Sequence, residues 1–349
     1  MRVVVTGATG NVGTSVLDAL ARDPAVDSIV GVARRLPDLT LPKTSWRAAD
    51  VAVDALEPIF EGADCVIHLA WLIQPGRDLD VLEAVNVEGS ARVFRAVAAA
   101  GVGSLVYASS VGAYSPGPKD RRVDESWPTE GIPSAYYARQ KAEVERRLDL
   151  FELEAPEVRV VRLRPALIFK RGAASEIRRL FVGPLLPSLL VRPSLIPLVP
   201  DVDRLVFQAV HSSDVGEAYR LAATGDARGP FNIAAEPVLD PRRLGAVLGA
   251  KPVPFRGEVL RALADVSWRL HLQPTEPGWV DMARAVPVMD TARARRELGW
   301  EPTRGADEAL LELLDGIREG AEFPTPPLAR ATGGPLRVKE LVTGIGSRT

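Results

Sequence analysis

The sequence has a single cysteine, Cys65, so an intramolecular disulfide bond is excluded. It has only 3 histidines, and they do not stand with Cys65 in the spacing of a zinc site, so no metal is expected. No apolar run reaches the length of about 18 residues that a membrane-spanning helix needs, so no membrane span is predicted. The first residues form a strand-like run into Gly7 without the apolar core of a signal peptide, which favours a cytoplasmic location.

Neither sign of charge is in excess, because 43 Lys and Arg residues face 45 Asp and Glu residues and the net charge is −2. A near-neutral chain lacks the basic surface that binds nucleic acid, so no nucleic-acid partner is expected. The length of 349 residues predicts about two domains, and 46% hydrophobic residues are enough for a large core. The composition therefore indicates a globular protein of enzyme size.

Apolar, β-branched runs alternate with helical patterns through the first half of the chain. The runs predict strands at 3–6, 28–33, 64–70, 104–109 and 158–164. The patterns between them predict helices at 11–22, 79–100 and 134–153. Continuous apolar strands separated by helices are typical of a parallel sheet with helices on both faces. The fold class is therefore predicted to be α/β, a doubly wound Rossmann-type parallel sheet with a smaller, mostly helical C-terminal substrate lobe.

The pattern changes after Pro165, where a Leu- and Pro-rich stretch at 182–200 cannot form a long helix and is interpreted as a substrate-side lobe or lid. Strands are expected again at 206–211 and 230–233, and helices at 258–272, 291–298 and 306–319. The predicted domains are a dinucleotide-binding domain at 1–165 completed by 206–233, a substrate lobe at 166–205 and 234–322, and a loosely ordered tail at 323–349.

A glycine-rich turn at 7–13 lies between the first strand and the first helix. Gly7, Gly10 and Gly13 lack side chains, so the backbone can approach a pyrophosphate, and the helix presents its free N–H groups to that charge. A tight turn without a ligand is the alternative, but the strand-turn-helix context favours dinucleotide binding.

The end of the second strand bears on the choice between NAD and NADP. NAD sites usually carry an acid there that binds the ribose hydroxyls, but this strand ends in Arg34 and Arg35, and Asp27 precedes it. A guanidinium group can pair with a 2′-phosphate, so NADP is favoured over NAD. Two solvated surface arginines are the alternative interpretation.

A tyrosine and a lysine four residues apart, Tyr137 and Lys141, share one face of a predicted helix. The apolar stripe of that helix continues through Val144, so this face is predicted to point into the protein. A nearby cation lowers the pKa of a phenol, which could then exchange a proton with a carbonyl or alcohol. Ser110, at the end of a strand, could orient the substrate oxygen. A chance pair on a helix surface is the alternative.

These features resemble the extended short-chain dehydrogenases/reductases of the NAD-dependent epimerase/dehydratase type. The resemblance runs from Met1 to about Pro302. Besides the motifs above, it is carried by residues 50–51, 68–70, 86–89, 164–165, 211–215, 231–233 and 294–302.

The resemblance implies that Ser110, Tyr137 and Lys141 are catalytic, that Lys141 also holds the nicotinamide ribose, and that the protein is a homodimer. Asn86 is either a support of the active site or a buried amide that satisfies backbone groups. Together with the two arginines, the predicted cofactor-binding residues are Gly7, Thr9, Gly10, Asn11, Val12, Gly13, Asp50, Val51, Leu69, Ala70, Trp71, Tyr137, Lys141 and Pro165.

Departures from the family pattern narrow the reaction. Dehydratases carry an acid after the serine, whereas Val111 and Gly112 follow Ser110 here. Nucleotide-sugar enzymes bind a second pyrophosphate, for which Arg284 is the one suitable residue in the matching stretch. Apolar residues are expected to line the cleft and favour a largely apolar small-molecule substrate, with ordinary packing as the alternative; they are Trp71, Leu72, Ile73, Tyr114, Phe181, Leu185, Leu186, Leu189, Leu190, Leu195 and Ile196.

Three functions follow as hypotheses. The leading one is an NAD(P)-dependent oxidoreductase that transfers a hydride at a carbonyl or alcohol carbon. The second is a nucleotide-sugar epimerase that keeps NAD bound and returns the hydride to the opposite face. The third is a dinucleotide-sensing binding protein without turnover, which the presence of both Tyr137 and Lys141 disfavours.

Overall fold

The computed structural model describes residues 1–74, 76–178 and 197–329. The strands of the main sheet are, in chain order, β1 (Arg2–Thr6), β2 (Ser28–Ala33), β3 (Thr44–Ala48), β4 (Cys65–His68), β5 (Ser104–Ala108), β7 (Arg159–Pro165) and β11 (Gly229–Ile233). This sheet is parallel throughout, and the order of its strands in space is β11-β7-β5-β4-β1-β2-β3. This order confirms the doubly wound Rossmann-type sheet. The order in which strands are added reverses between β1 and β4, and such sheets bind ligands at that switch point.

Helices cover both faces of this sheet. Those of the first part of the chain are α1 (Asn11–Arg22), α2 (Glu57–Phe60), α3 (Leu79–Glu83), α4 (Gly89–Ala99) and α5 (Tyr136–Glu154). The predicted helix at 79–100 is present, but a π-helical turn, Ala84–Glu88, lies between α3 and α4. The sheet is buried between two apolar clusters, one of which packs α1 and the other α4 and α5 against the strands.

The C-terminal lobe combines helices with small sheets. Its helices are α6 (Ala174–Ile177), α7 (Ser212–Thr224), α8 (Pro241–Leu248), α9 (Gly257–Arg269), α10 (Gly278–Ala285) and α11 (Ala306–Glu319), with a π-helical turn at Ala294–Leu298. Of these, α7 packs against α1 on the main sheet. The small sheets contain β6 (Arg122–Val123), β8 (Leu167–Phe169), β9 (Leu198–Val202), β10 (Phe207–His211), β12 (Ala235–Leu239), β13 (Lys251–Phe255) and β14 (Val288–Met289). Thus β11 joins the main sheet, whereas β10 pairs with β8 and β12.

The two irregular segments are described only in part. The end of the segment predicted to be a lobe or lid forms β9 and pairs with β13, while residues 182–196 lie outside the described residues. For the predicted loose tail, the structure gives a correction. The start of the proposed loose tail is packed, because Thr325 and Leu328 are 1% and 0% exposed. The hydroxyl of Thr325 donates a hydrogen bond to the carbonyl of Thr9 over 2.8 Å, which ties this segment to the glycine-rich turn. Residues 330–349 lie outside the described part of the chain.

Candidate active site

The glycine-rich turn joins β1 to α1 at the reversal point of the sheet. Gly7 has φ +70°, and a Cβ added there would lie 2.7 Å from the backbone nitrogen of Ala70. A Cβ on Gly13 would lie 2.4 Å from the carbonyl oxygen of Gly7, so neither position admits a side chain without movement. Gly10 precedes α1 and provides no side-chain cap for its first N–H groups. These bare N–H groups at a helix N-terminus fit a pyrophosphate.

Three neighbours of the glycines complete the turn. Thr9 is buried, and Val12 is half-buried against the core that α1 helps to form. Asn11 donates a hydrogen bond from Nδ2 to the carbonyl of Ile168 over 3.3 Å, while its Oδ1 atom is buried without a hydrogen-bond partner in the described chain. A buried acceptor at this place fits a ligand that donates hydrogen bonds, such as a ribose or an amide.

Arg34 and Arg35 directly follow β2, at the carboxyl edge of the sheet. Both side chains are exposed, and neither makes a hydrogen bond or ion pair with any residue that the structure describes. Asp27 precedes β2, so it lies at the opposite end of the strand. The structure therefore leaves two cations, and not an acid, at the end of β2.

Asp50 and Val51 follow β3 at the same edge of the sheet. The Asp50 carboxylate accepts a hydrogen bond from the backbone nitrogen of Ala52 over 3.0 Å. Val51 is buried, and its Cγ2 atom would lie 3.0 Å from a Cβ added to Gly89. The two residues are thus held in place by a local turn and by the start of α4.

Residues Leu69 to Trp71 follow β4 and lie directly beside the turn. The backbone nitrogen of Leu69 donates to the carbonyl of Thr6 over 3.1 Å. Asn86 holds the next residue, Leu72, from both sides: its Oδ1 accepts from the Leu72 nitrogen over 2.7 Å and its Nδ2 donates to the Leu72 carbonyl over 2.8 Å. Asn86 therefore fixes this loop, which combines both interpretations of its role.

Tyr137 and Lys141 lie one turn apart at the start of α5, and Ser110 follows the end of β5. The Tyr137 phenol lies beside the side chain of Ser110, which lowers the pKa of this phenol. The Ser110 hydroxyl also accepts from the backbone nitrogen of Gly112 over 3.0 Å. Lys141 is 3% exposed, and its Nζ donates to the carbonyl of Ala108 over 2.6 Å. The structure thus brings the three predicted residues together at the carboxyl edge of the sheet.

The pKa of Tyr137 differs from the expectation. Burial raises the pKa of this phenol, and the neighbouring Ser110 side chain offsets only part of the rise. Lys141 is not among the groups that shift this pKa; its Nζ lies 3.4 Å from the ring centroid of Trp71 and 5.9 Å from that of Tyr137. Burial also lowers the pKa of Lys141 well below its usual range, and the carboxylate of Glu145 acts in the opposite direction.

Aromatic rings enclose the phenol on two sides. The Trp71 ring meets that of Tyr137 edge-on at 5.9 Å, and the Trp279 ring lies at 5.0 Å with a tilt of 35°. Trp279 comes from α10 in the C-terminal lobe, which also brings Met282 into the apolar cluster around Tyr137. Sequence reasoning missed Trp279 and Met282, because only tertiary packing brings α10 to the start of α5. The one local signal is Gly278, where a Cβ would lie 2.2 Å from the carbonyl oxygen of Ser134.

Tyr114, predicted to line the cleft, and Arg284, the one residue suited to a second pyrophosphate, both have other partners in the structure. Tyr114 is 0% exposed, and its hydroxyl donates to Oδ1 of Asn232 over 2.7 Å, so it belongs to the core and not to a cleft wall. Arg284 donates to the carbonyl of Asp203 over 3.1 Å and pairs with Glu258 at 3.6 Å. The leucines and Phe181 of 181–196 lie outside the described residues.

Pro165 ends β7 beside β11 and is buried. With it, predicted cofactor-binding residues end or follow β1, β2, β3, β4 and β7 at the carboxyl edge of one sheet, which is where ligands of such sheets bind.

Comparison with known proteins agrees with this arrangement. Residues 3–234 match the model of the NAD dependent epimerase/dehydratase family. The chain belongs to this family.

The relatives span several activities. An uncharacterized protein of Mycobacterium tuberculosis is 30% identical over 321 residues, which are 91% of this chain and 30% of that protein, so the chain spans about a third of its length. Sterol-4-alpha-carboxylate 3-dehydrogenase (decarboxylating) of Saccharomyces cerevisiae is 25% identical over 291 residues, 74% of this chain and 78% of that enzyme. The structure of UDP-glucose 4-epimerase of Thermus thermophilus in complex with NAD is similar to this one, with a TM-score of 0.65 and 21% sequence identity. The match covers 91% of this chain and 99% of the epimerase chain.

In the parts of the chain that the structure describes, no helix combines the length and the apolar character needed to cross a bilayer. Over the same residues, no cluster of His, Cys, Asp and Glu is placed to hold a metal ion.

Proposed function

We propose that the protein is an NAD(P)-dependent oxidoreductase that acts at the carbonyl or alcohol carbon of a small, largely apolar substrate. The observation that carries this proposal is the convergence of Ser110, Tyr137 and Lys141 at the carboxyl edge of the sheet, where Lys141 donates to the carbonyl of Ala108 and the Ser110 side chain lies close enough to the Tyr137 phenol to lower its pKa. Two hydroxyl groups that meet next to a buried ammonium group are suited to orient a carbonyl oxygen and to give it a proton.

A bound nicotinamide dinucleotide would supply or accept the hydride. In the reductive direction, Tyr137 gives its proton to the carbonyl oxygen while Ser110 donates a hydrogen bond to the same oxygen. In the oxidative direction, the alcohol proton passes to Tyr137. Because burial raises the pKa of Tyr137, the phenol is protonated at neutral pH, which suits the acid of a reduction. Lys141 holds the ribose.

The cofactor would lie along the carboxyl edge, with its pyrophosphate at the turn from Gly7 to Gly13. The bare N–H groups of α1 support this placement of the pyrophosphate, and the buried Oδ1 of Asn11 could accept a hydrogen bond from a ribose hydroxyl or an amide of the same cofactor. Asp50 and Val51 would contact the adenine, and residues from Leu69 to Trp71 would contact the rest of the dinucleotide. Arg34 and Arg35 support NADP over NAD, because two cations without a described partner fit a 2′-phosphate.

An apolar substrate is supported by the surroundings of the phenol. Trp71, Trp279 and Met282 present ring and thioether surfaces to Tyr137, and such walls favour apolar ligands. The similarity to an enzyme named for a sterol carboxylate points in the same direction.

A nucleotide-sugar epimerase is the second candidate, favoured by the fold that the chain shares with UDP-glucose 4-epimerase. That reaction needs a cation for the second pyrophosphate. Arg284, the predicted phosphate ligand, is instead bound to Asp203 and Glu258, so the oxidoreductase is preferred.

The experiment that separates the two candidates is a substrate panel. The purified protein is incubated with apolar ring ketones and alcohols, and separately with UDP-sugars, in the presence of NADP(H) or NAD(H). A net change in cofactor absorbance with an apolar substrate supports the oxidoreductase. Conversion of a UDP-sugar to its epimer without a net absorbance change would replace it by the epimerase.

We also propose that the protein is a homodimer that pairs through α5. Leu150 and Leu153 on this helix are 59% and 79% exposed, and burying such side chains against a second copy would remove them from water.

A further inference from the structure

Three side chains of α5, spaced four residues apart, meet three consecutive residues at the end of β5. Lys141 donates a hydrogen bond to the carbonyl of Ala108, and Glu145 accepts one from the hydroxyl of Ser109. Tyr137 lies beside the Ser110 side chain, which lowers the pKa of the phenol. The helix is therefore attached to the strand end by a ladder whose rungs are the Lys141–Ala108 and Glu145–Ser109 hydrogen bonds and the Tyr137–Ser110 contact, and the Glu145–Ser109 rung lies outside the proposed catalytic set.

Glu145 is an unusual residue to find at this place, because it is 1% exposed. A buried carboxylate is stable only when it is paired and hydrogen-bonded. Arg164 provides a two-fold contact, from Nε to Oε1 and from Nη2 to Oε2, both over 2.8 Å. Arg162 adds a contact from Nη1 to Oε2 over 3.0 Å. Both arginines belong to β7, so Glu145 connects α5 to β5 and β7 at once.

The surroundings of Lys141 contain few charges. On α5 it is flanked by Tyr137 and by Glu145, one turn further on. From β4, His68 faces it but is neutral, since burial lowers the pKa of His68 to about 3. From β5, the ring of Tyr107 lies 5.3 Å from Nζ, and its burial raises the pKa of this phenol well above its usual value. Glu145 is thus the anion that favours the ammonium form of Lys141.

We propose that Glu145 is a positioning residue: it fixes the register of α5 against the end of β5, so that Tyr137 stays beside Ser110, and its carboxylate, one helical turn from Lys141, favours the ammonium form of that lysine. This inference rests on the proposed function, in which Tyr137 and Lys141 act on the substrate and the cofactor. It predicts two separable effects of removing the carboxylate charge, one on turnover and one on the ionisation of Lys141.

The first variant is Glu145→Gln, which keeps the shape of the side chain. Turnover should fall by about 10- to 100-fold, because small displacements of reacting groups have effects of this size. The pKa of Lys141 should fall by about one to two units, the usual effect of a close opposite charge. This pKa is measured by NMR of protein labelled with 13Cε-lysine; the chain has 6 lysines, and Lys141→Met identifies the signal.

Glu152→Gln is the matched control. Glu152 is also paired with Arg162, but it is one-third exposed and lies at the far end of α5. This variant should change neither turnover nor the pKa of Lys141.

The NMR readout does not depend on turnover, so it separates the two proposals. If no substrate is converted by the wild-type protein, the proposed function fails while the pKa comparison still tests Glu145. An unchanged Lys141 pKa in folded Glu145→Gln would overturn the charge role. If Glu145→Gln does not fold, Ser109→Ala removes the same rung: about tenfold slower turnover with an unchanged Lys141 pKa supports the positioning role, and unchanged turnover overturns it.

Discussion

Replacing Gly7 by alanine tests how closely the turn must approach the loop after β4. The new Cβ would lie 2.7 Å from the Ala70 nitrogen and 2.8 Å from the Leu69 carbonyl carbon. These are backbone atoms of a loop that Asn86 clamps, so they cannot move as a flexible side chain would. Gly7 also has φ +70°, which disfavours alanine independently of space.

The chain offers a control that separates these two costs. Gly101 has φ +65°, and no described atom lies within 4 Å of a Cβ placed there. Gly101→Ala therefore has only the backbone cost, which is about 1 kcal/mol. Gly7→Ala adds the cost of overpacking, about 1–3 kcal/mol. The free energy of unfolding should thus fall by about 2–4 kcal/mol in Gly7→Ala, well beyond the fall in Gly101→Ala.

Urea denaturation measures this free energy, and fluorescence titration with NADPH measures cofactor binding. We expect Gly7→Ala to raise the dissociation constant of the cofactor at least about tenfold, which corresponds to about 1.4 kcal/mol. Gly101→Ala should leave it unchanged, because α4 ends before this glycine and the carboxyl edge lies elsewhere. Equal destabilisation by the two variants, or unchanged NADPH binding by Gly7→Ala, would refute the reasoning.

Further predictions concern the cofactor, the response to acid and the assembly. Arg34→Ala should weaken NADPH binding selectively, and an unchanged ratio of NADPH to NADH affinity in titrations would contradict the 2′-phosphate role. Burial lowers the pKa of His68 from 6.5 to about 3. Between these two pH values the unfolded state therefore binds one proton more than the folded state, and the free energy of unfolding decreases as the pH is lowered. In His68→Gln this contribution to the pH dependence should disappear, so that the free energy of unfolding changes by about 1.4 kcal/mol per pH unit less than in the wild type over this range. The same pH dependence in the variant as in the wild type would disprove the assignment. Leu153→Glu should convert the proposed dimer to a monomer in light scattering, whereas a wild-type mass that is already monomeric would reject the dimer.

Much of the sheet was predictable because its strands are buried on both faces. β1 is a run of valines that are 0% exposed, and such a run is visible without tertiary information. β3 was missed, because it is an edge strand whose residues, including the half-buried Trp46, form no apolar run. The break between α3 and α4 was also missed, since a π-helical turn keeps the helical pattern of apolar residues.

The site was predictable where it depends on local spacing. The face of α5 that carries Tyr137 and Lys141 is marked by an apolar stripe, and Val144 and Leu148 on it are 0% exposed. The burial of Glu145 could not be predicted from α5 alone, because it depends on Arg162 and Arg164, which a different segment supplies.

Contacts between distant segments set the rest of the site. Trp279 reaches Tyr137 because α10 packs on the start of α5, and Thr325 reaches Thr9 across more than 300 residues. Tyr114, expected at the cleft wall, is in the core because Asn232 accepts its hydrogen bond. The direction of the Tyr137 pKa also depends on burial, which the helical spacing does not reveal.

The most direct test of the central claim removes a single oxygen atom, in the variant Tyr137→Phe. With a substrate found in the panel, we expect turnover to fall by about 10²- to 10⁴-fold, the usual contribution of a general acid or base. The dissociation constant of NADPH should stay within about twofold, because the glycine-rich turn and Lys141 are unchanged. Turnover by Tyr137→Phe at the wild-type rate would contradict the account.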